Sequence, residues 1–294
     1  MNAFQYASSL PEQVKSSYTE YDTIDFVLSF PQRAVNLGSV RLEGVLDVLK
    51  GGSAIAASDE IYLDRFVGAH SVLESVQTQV DGNQIENCDN YARYVKMVST
   101  ATTGQGSMNN SENVCELKAP MHEMTKATLR GEVPKSQPST PKRNAPDFSI
   151  KPKMALNSGM GSLKYSRSGD IRLSFNLARV GSVIWGSGVD GTCSYSLKDL
   201  RVSYTTIPED EGEDEVRMHT KTSLKQSIQS SLANISVKAG IMASAVSVSF
   251  LRQADENVIQ ANQTALNKLP TLTETNFLMN DSTNSYVSFV IQDD

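Results

Sequence analysis

The sequence predicts an all-β fold, a jelly-roll β-sandwich with a complete first barrel and a partial second one. Three observations favour it. Apolar and polar residues alternate with a period of two in many short segments, turn-forming residues separate these segments, and helical periodicity is scarce. Strands of this number and length usually pack as two sheets with polar outer faces.

The clearest strands have an apolar residue at every second position. Residues 24–30 do so and end at Pro31, and residues 171–177 follow the same pattern. Asp81-Gly82-Asn83 supplies turn chemistry after the alternating residues 72–80. Further strands are predicted at 40–49, 91–98, 114–117, 180–185, 192–197, 200–205, 235–238, 246–250, 277–279 and 286–291.

Changes in composition along the chain predict its domains. Residues 1–22 form an N-terminal arm, 23–207 the first jelly roll, 208–215 an acidic linker and 216–294 an incomplete second jelly roll. Residues 101–146 form a long loop within the first jelly roll, because Gly, Ser, Thr and four prolines there oppose regular structure.

Composition excludes several classes of protein. Of 294 residues, 39% are apolar and 20% charged, which is enough for a core and too little charge for a disordered chain. A net charge of −6 argues against a general nucleic-acid binder. The three cysteines predict folding in a reducing compartment, and no signal peptide or membrane helix is visible, so we expect a soluble protein made in a cytoplasm.

No motif predicts catalysis. His70, His122 and His219 lie far apart in sequence, and we interpret them as packed or turn residues. Residues 186–191 match GxGxxG, but a strand rather than a helix is predicted next, so we expect a glycine-rich loop. The acidic residues 209–215 resemble a calcium loop only loosely. We therefore expect no catalytic, cofactor-binding or metal-binding residues, no cofactor and no enzymatic activity.

Aromatic residues in the predicted arm suggest an interface. Phe4, Tyr6, Tyr18 and Tyr21 are spaced through polar residues, which suits a segment that becomes ordered on a neighbouring molecule. Each such ring can bury ~150–250 Å².

Two stretches resemble a known family. Residues 66–97, FVGAHSVLESVQTQVDGNQIENCDNYARYVKM, resemble the first barrel of double-jelly-roll capsid proteins of the adenovirus, polinton and virophage lineage, in which ARYVKM would be a strand. Residues 225–291 resemble the opening of the second barrel in the same family. The chain departs from the family pattern in one respect, because too few residues follow Val216 for a complete second barrel.

The resemblance implies a structural major capsid protein, located in the virion after assembly in the host cell. It implies homotrimers with a pseudo-hexagonal outline that tile an icosahedral shell. The implied partners are neighbouring capsomers, penton and minor capsid proteins, and an internal membrane or the genome, without a specific nucleic-acid site.

Three alternatives remain open at this point. A single-jelly-roll penton protein would form pentamers. A carbohydrate-binding or adhesion module would need exposed aromatic platforms, and Trp185 lies in an apolar run. A cupin-like enzyme would need clustered histidines, which the spacing argues against.

Overall fold

The structure is a computed structural model that describes residues 4–102, 110–130, 145–221, 223, 249–250, 255, 258–266, 274–278 and 285–290. Most of the predicted second jelly roll therefore lies outside the described residues, including the strand predicted at 235–238 and most of the one predicted at 246–250. Most of the predicted long loop, residues 103–109 and 131–144, also lies outside them.

The elements follow in chain order. The strands are β1 Gln5–Ser9, β2 Thr23–Leu28, β3 Arg33–Asn36, β4 Arg41–Lys50, β5 Ser53–Ala54, β6 Leu73–Val80, β7 Asn83–Asp89, β8 Asp147–Ile150, β9 Ser162–Lys164, β10 Ile171–Leu177, β11 Cys193–Pro208, β12 Glu274–Leu278 and β13 Ser285–Val290. The helices are α1 Tyr91–Thr102, α2 Ser111–Cys115, α3 His122–Leu129, α4 Ala155–Ser158, α5 Tyr165–Ser168 and α6 Val180–Val183, with 3-10 turns at Gly68–Val72 and Glu209–Glu211.

The first sheet contains seven strands in four positions across the sheet. We call each position a lane, because two or three short strands can lie end to end in it. The long strand β11 pairs with β1 on one side, and with β3 and β4 placed end to end on the other. Beyond β3 and β4, the short strands β9, β8 and β5 pair in turn and form the outer lane. All of these pairs are antiparallel.

The second sheet has four antiparallel strands in the order β2, β10, β6, β7. A tight turn joins β6 to β7. Its central residues, Asp81 and Gly82, have φ angles of 50° and 72°, which is the backbone geometry of a type I′ hairpin. The turn predicted from the sequence is confirmed.

The order of the lanes defines a jelly roll. Counted along the chain, the eight lanes are β1, β2, β3 with β4, β6, β7, β8, β10 and β11. The sheets then read 1-8-3-6 and 2-7-4-5. The first lane pairs with the eighth, the second with the seventh, the third with the sixth and the fourth with the fifth, as in a long hairpin folded over into two sheets. This is the two-Greek-key arrangement of a jelly roll, so the first predicted barrel is complete.

The core lies between the two sheets and follows the alternation in the sequence. Ile171, Leu173, Phe175 and Leu177 of β10 are all buried, and the rings of Phe26 and Phe175 meet edge to face with centroids 5.8 Å apart. Full burial of one such side chain stabilises the fold by ~1.5–3 kcal/mol. The central strands are therefore held by both backbone pairing and packing.

Two predicted strands are helices. The segment 91–98 belongs to α1, in which Tyr91 and Val95 are buried one helical turn apart. Asn90 has a φ of 51°, which ends β7 and turns the chain into the helix. The segment predicted as a strand at 114–117 falls at the end of α2, whose first turn is capped by the Asn110 side chain accepting from the Asn113 N–H.

Two further predictions changed in detail. Residues 180–185 form the short helix α6 followed by a bridge between Trp185 and Tyr62, rather than a strand. The strands predicted at 192–197 and 200–205 are one strand, β11, with a bulge at Asp199, whose φ is 52°. The GxGxxG segment is a loop followed by β11 and not by a helix, as expected. The hairpin of β12 and β13 confirms strands near 277–279 and 286–291.

Candidate interaction surface

The four aromatic residues predicted at an interface lie in different environments. Phe4 is 62% exposed, Tyr6 is 86% exposed and Tyr21 is 74% exposed. Tyr18 is only 2% exposed. Three of the four are therefore available to a partner.

Tyr18 belongs to the core, which corrects the prediction for this residue. Its backbone bridges Leu197 of β11, and its hydroxyl donates to the Gln13 carbonyl while accepting from the Lys15 N–H at 3.1 Å. The ring is thus fixed within its own chain, because the hydroxyl has local hydrogen-bond partners and the side chain belongs to the apolar core.

The predicted arm is in part a strand of the barrel. β1 pairs over its full length with β11, from Gln5 opposite Thr206 to Ser9 opposite Val202. The sequence of β1 carries no apolar alternation, so its strand character depends on backbone pairing rather than on side-chain burial. Segment 1–22 therefore supplies the first lane of the jelly roll, and the boundary drawn at residue 22 remains a prediction.

β1 is one of the sheet edges that no described strand covers. On the side away from β11, no described strand pairs with it. The edge consists of Gln-Tyr-Ala-Ser-Ser, which contains no charged residue and no proline. Edges of this kind are open to pairing with another strand.

The acidic run covers part of the opposite edge of the same sheet, along β9. The Glu213 N–H donates to the Ser162 carbonyl at 2.7 Å, and the Lys164 N–H donates to the Glu213 carbonyl at 3.2 Å. The Asp214 carboxylate lies 3.2 Å from the Lys164 ammonium. Hydrogen bonds from Lys164 and Arg167 lower the pKa of Asp214. The sequence predicts an acidic linker here, and the structure places Glu213 of this run beside β9, on the outer side of the sheet. Its role between two domains remains a prediction.

The middle of the long insertion is anchored to the barrel by a buried polar cluster. The His70 side chain is fully buried, with Nδ1 3.0 Å from the Tyr91 hydroxyl and Nε2 3.3 Å from Glu116 Oε1. The Lys118 ammonium lies 2.7 Å from Glu116 Oε2. The Tyr91 hydroxyl also accepts from the Lys153 N–H at 2.8 Å, so it links His70 to the backbone after β8.

Burial and charge fix the protonation states in this cluster. Burial lowers the pKa of His70, which favours the neutral imidazole beside Glu116. Burial opposes ionisation of Glu116, but the adjacent His70 and the Lys118 ammonium outweigh it and hold its pKa well below the usual range. The cluster is therefore a desolvated Glu–Lys ion pair with a neutral histidine beside it.

Close backbone contact accompanies this anchor. Gly68 has a φ of +56°, and a Cβ built on it would lie 2.2 Å from the Glu116 carbonyl oxygen. The Ala69 N–H donates to that same carbonyl at 2.8 Å. Residues 110–120 are thus docked against the barrel, although the sequence predicts a long loop there.

Residues from the C-terminal part of the chain contact two further buried acids. The Asn262 amide donates to Asp64 at 2.8 Å, where the Lys96 ammonium also lies 2.7 Å away. The Lys221 ammonium lies 3.4 Å from the buried carboxylate of Glu86, whose pKa is raised by burial. Through these contacts, parts of the segment after residue 215 pack against the first barrel.

Of the two remaining histidines, His122 is partly buried and His219 is exposed. His122 meets the ring of Trp185 edge to face at 4.9 Å, and Tyr62 lies against the other side of the tryptophan at 5.2 Å. His219 interacts through its backbone, since its N–H donates to the Ser158 hydroxyl at 2.8 Å. Within the described residues, no group of three or more Cys, His, Asp and Glu side chains is arranged to hold a metal ion. None of the helices described is both long and apolar enough to span a bilayer.

Comparison with known proteins gave matches among solved structures alone, since no protein-family model and no curated protein matches the chain. PBCV-1 VP54, fitted into a reconstruction of the virophage Sputnik, matches 71% of this chain and 43% of its own, with 14% identity and a TM-score of 0.36. The mavirus major capsid protein matches 69% and 46%, with 8% identity and a TM-score of 0.38. The Faustovirus major capsid protein matches 69% and 54%, with 9% identity and a TM-score of 0.39.

The chain spans about half the length of these proteins. The fold assignment itself depends on the strand order, which the chain's own backbone pairing defines. The chain has a complete all-β jelly roll, and it is similar to viral major capsid proteins.

Proposed function

We propose that this chain is a non-catalytic structural subunit of a virion shell, which self-assembles into homotrimers that act as pseudo-hexameric capsomers. The observation that carries the proposal is the lane order 1-8-3-6 and 2-7-4-5, a complete jelly roll. Jelly rolls of this kind are common in viral capsid and lectin domains and in cupins. Because a fold alone does not define a function, the surface and core decide among these classes.

The apolar core and the uncharged strand edge of β1 favour a subunit built for assembly. The interior between the sheets is filled by large apolar side chains, among them Phe26, Leu46 and Phe175, which are each 0% exposed. For the carbohydrate-binding alternative, Trp185 does not supply a free aromatic platform, because its ring is already in contact with Tyr62 and His122. What the described surface does offer is an uncharged strand edge with exposed aromatic side chains.

The partners follow from the same role. We propose neighbouring capsomers as the main partners, with penton and minor capsid proteins, and an internal membrane or genome, as further contacts of the shell. Two of the solved structures that resemble the chain are named as major capsid proteins, with which this proposal agrees. In this proposal, the site of action is the virion, after assembly in the host cell.

Native mass spectrometry and negative-stain microscopy of the purified chain test the proposal. We expect a species with three times the 32.0 kDa mass of the chain, together with larger assemblies of trimers. A pentamer would instead support the penton alternative. A protein that stays monomeric at all concentrations, and binds glycans on an array, would contradict the proposal and support the carbohydrate-binding alternative.

A further inference from the structure

We propose that the free edge of β1 is a self-complementary pairing surface, occupied by β1 of a second copy of this chain in an antiparallel arrangement about a two-fold axis at Ala7. The inference rests on the proposed self-assembly and specifies one of its contacts. It concerns a surface that faces outward from a complete barrel, so it does not require the first barrel to rearrange.

The first step is the backbone edge of β1 that no described strand pairs. β1 forms its ladder with β11 alone, and on its other side the described contact is at its end, where the Ser9 hydroxyl donates to the Val27 carbonyl of β2 at 2.8 Å. An edge strand that stays in water is usually protected by Lys, by proline or by a bulge. β1 has none of these, since Gln5–Ser9 reads QYASS and pairs with β11 in unbroken register.

The second step is the pattern of side chains around the strand. Phe4, Tyr6, Ser8 and Leu10 are two residues apart, so an extended chain places them on one face. Phe4 and Leu10 are 62% and 63% exposed and lie at equal distances in sequence from Ala7. Pro11 follows at once and ends the segment that can pair.

The third step is the choice of occupant. An antiparallel pair centred on Ala7 places Phe4 of one copy opposite Leu10 of the other, and Tyr6 opposite Ser8, each contact occurring twice. Cross-strand pairs of this kind contribute ~0.2–1 kcal/mol each. Because residues 4–10 carry no charge, the pairing of two identical strands brings no like charges together. A two-fold contact also closes on itself, as an isologous interface must.

The size of the contact sets its role. A pair of strands this short buries far less than the ~1,200–2,000 Å² of a stable standard interface. The contact would therefore join capsomers that are already held by other surfaces, and it would not hold a dimer by itself. We expect it to act in the larger assemblies rather than in the trimer.

A charge placed on the edge tests the inference. We expect Tyr6→Lys and Ser8→Lys each to weaken the formation of assemblies larger than the trimer by at least about tenfold, as each pairing would place lysines on a desolvated edge. The control is Ser194→Lys, an exposed position on the same face of the first sheet but on β11. The temperature of thermal unfolding should be unchanged in all three variants. If both edge variants form the larger assemblies as well as the parent protein does, the inference is wrong.

Disulfide formation between two different variants tests the register. In a Cys115→Ser background, which removes the exposed native thiol, we would mix Tyr6→Cys protein with Ser8→Cys protein under mild oxidation. The proposed register predicts mixed disulfide dimers, and little dimer in either variant alone. Dimers in the single-variant samples alone, or no dimers, would overturn it.

The two proposals fail in distinguishable ways. If the parent protein forms trimers and shells while the edge variants do so equally well, the self-assembling role stands and the β1 contact falls. If the parent protein forms no oligomer under any condition, the proposed function itself falls.

Discussion

At the scale of single residues, the Glu116–Lys118 ion pair is buried, so each charge depends on its partner for stabilisation. Both side chains are 4% exposed and their charged atoms lie 2.7 Å apart. Lys118→Met leaves the Glu116 carboxylate buried beside a neutral histidine, so we expect a loss of ~3–5 kcal/mol in the free energy of unfolding. Urea denaturation measures this loss.

Two further variants make that expectation specific. Adding Glu116→Gln to Lys118→Met removes the uncompensated charge and should restore part of the loss. Lys15→Met breaks the exposed Lys15–Asp22 pair, which has a similar N···O distance of 2.8 Å, and should cost less than about 1 kcal/mol. Equal losses for the buried and the exposed lysine would show that desolvation does not dominate at Glu116.

Acid stability depends on the same carboxylate. The pKa of Glu116 is lower in the folded chain than in the unfolded one, so its contribution is complete above the unfolded value of ~4.3 and is lost as the pH falls below it. In Glu116→Gln, the slope of unfolding free energy against pH below ~4.3 should be shallower, by up to ~1.4 kcal/mol per pH unit. Asp210→Asn, at an exposed acid, is the control; an unchanged slope in Glu116→Gln would contradict the assignment.

The sequence could not separate the four N-terminal aromatic residues. Tyr18 and Tyr21 both stand among polar neighbours, yet Tyr18 is buried against β11 while Tyr21 is exposed. The difference arises because a chain segment distant in sequence, around Leu197, bridges the backbone of Tyr18. The cluster of His70, Glu116 and Lys118 was missed for the same reason, since 46 residues separate the histidine from the glutamate.

At the scale of elements, the turn between β6 and β7 allows a test of backbone strain alone. A Cβ at Gly82 would meet no atom within 4 Å, but the φ of +72° disfavours other residues. Gly82→Ala should therefore cost ~1–2 kcal/mol. Gly191→Ala, also in open space but without a positive φ, is the matched control and should change stability little. Equal effects measured by thermal unfolding would contradict this account of the turn.

Element type was predictable where one period dominates. β2 and β10 alternate cleanly and were predicted to within a few residues. The segment beginning YARYV was misread, because its apolar residues also fit the helical spacing of Tyr91 and Val95, which the folded chain uses. For α2, Asn110 three residues before Asn113 was a capping signal that the strand interpretation overlooked. β1 gave no signal, because it is held by its backbone.

At the scale of the whole molecule, alternation could predict two packed sheets but not which strands pair. The nesting of lanes joins β1 to β11 and β2 to β10, across nearly the full length of the barrel. Such non-local pairing makes jelly rolls slow to fold relative to helical proteins. It also explains why the chain's first strand could be taken for an arm, since its partner lies some 200 residues later.

Assembly should change the rate of amide hydrogen exchange in one segment of this barrel. If β1 pairs with its counterpart in a second copy, amide hydrogens in residues 4–10 that face the free edge become bonded only in the assembled shell. Hydrogen exchange measured on shells and on dissociated trimers should therefore show slower exchange in shells for this peptide. The central strand β10, which is paired on both sides within one chain, should exchange equally slowly in both states. Equal exchange of residues 4–10 in shells and trimers would mean that the edge of β1 stays open to water when the subunits assemble.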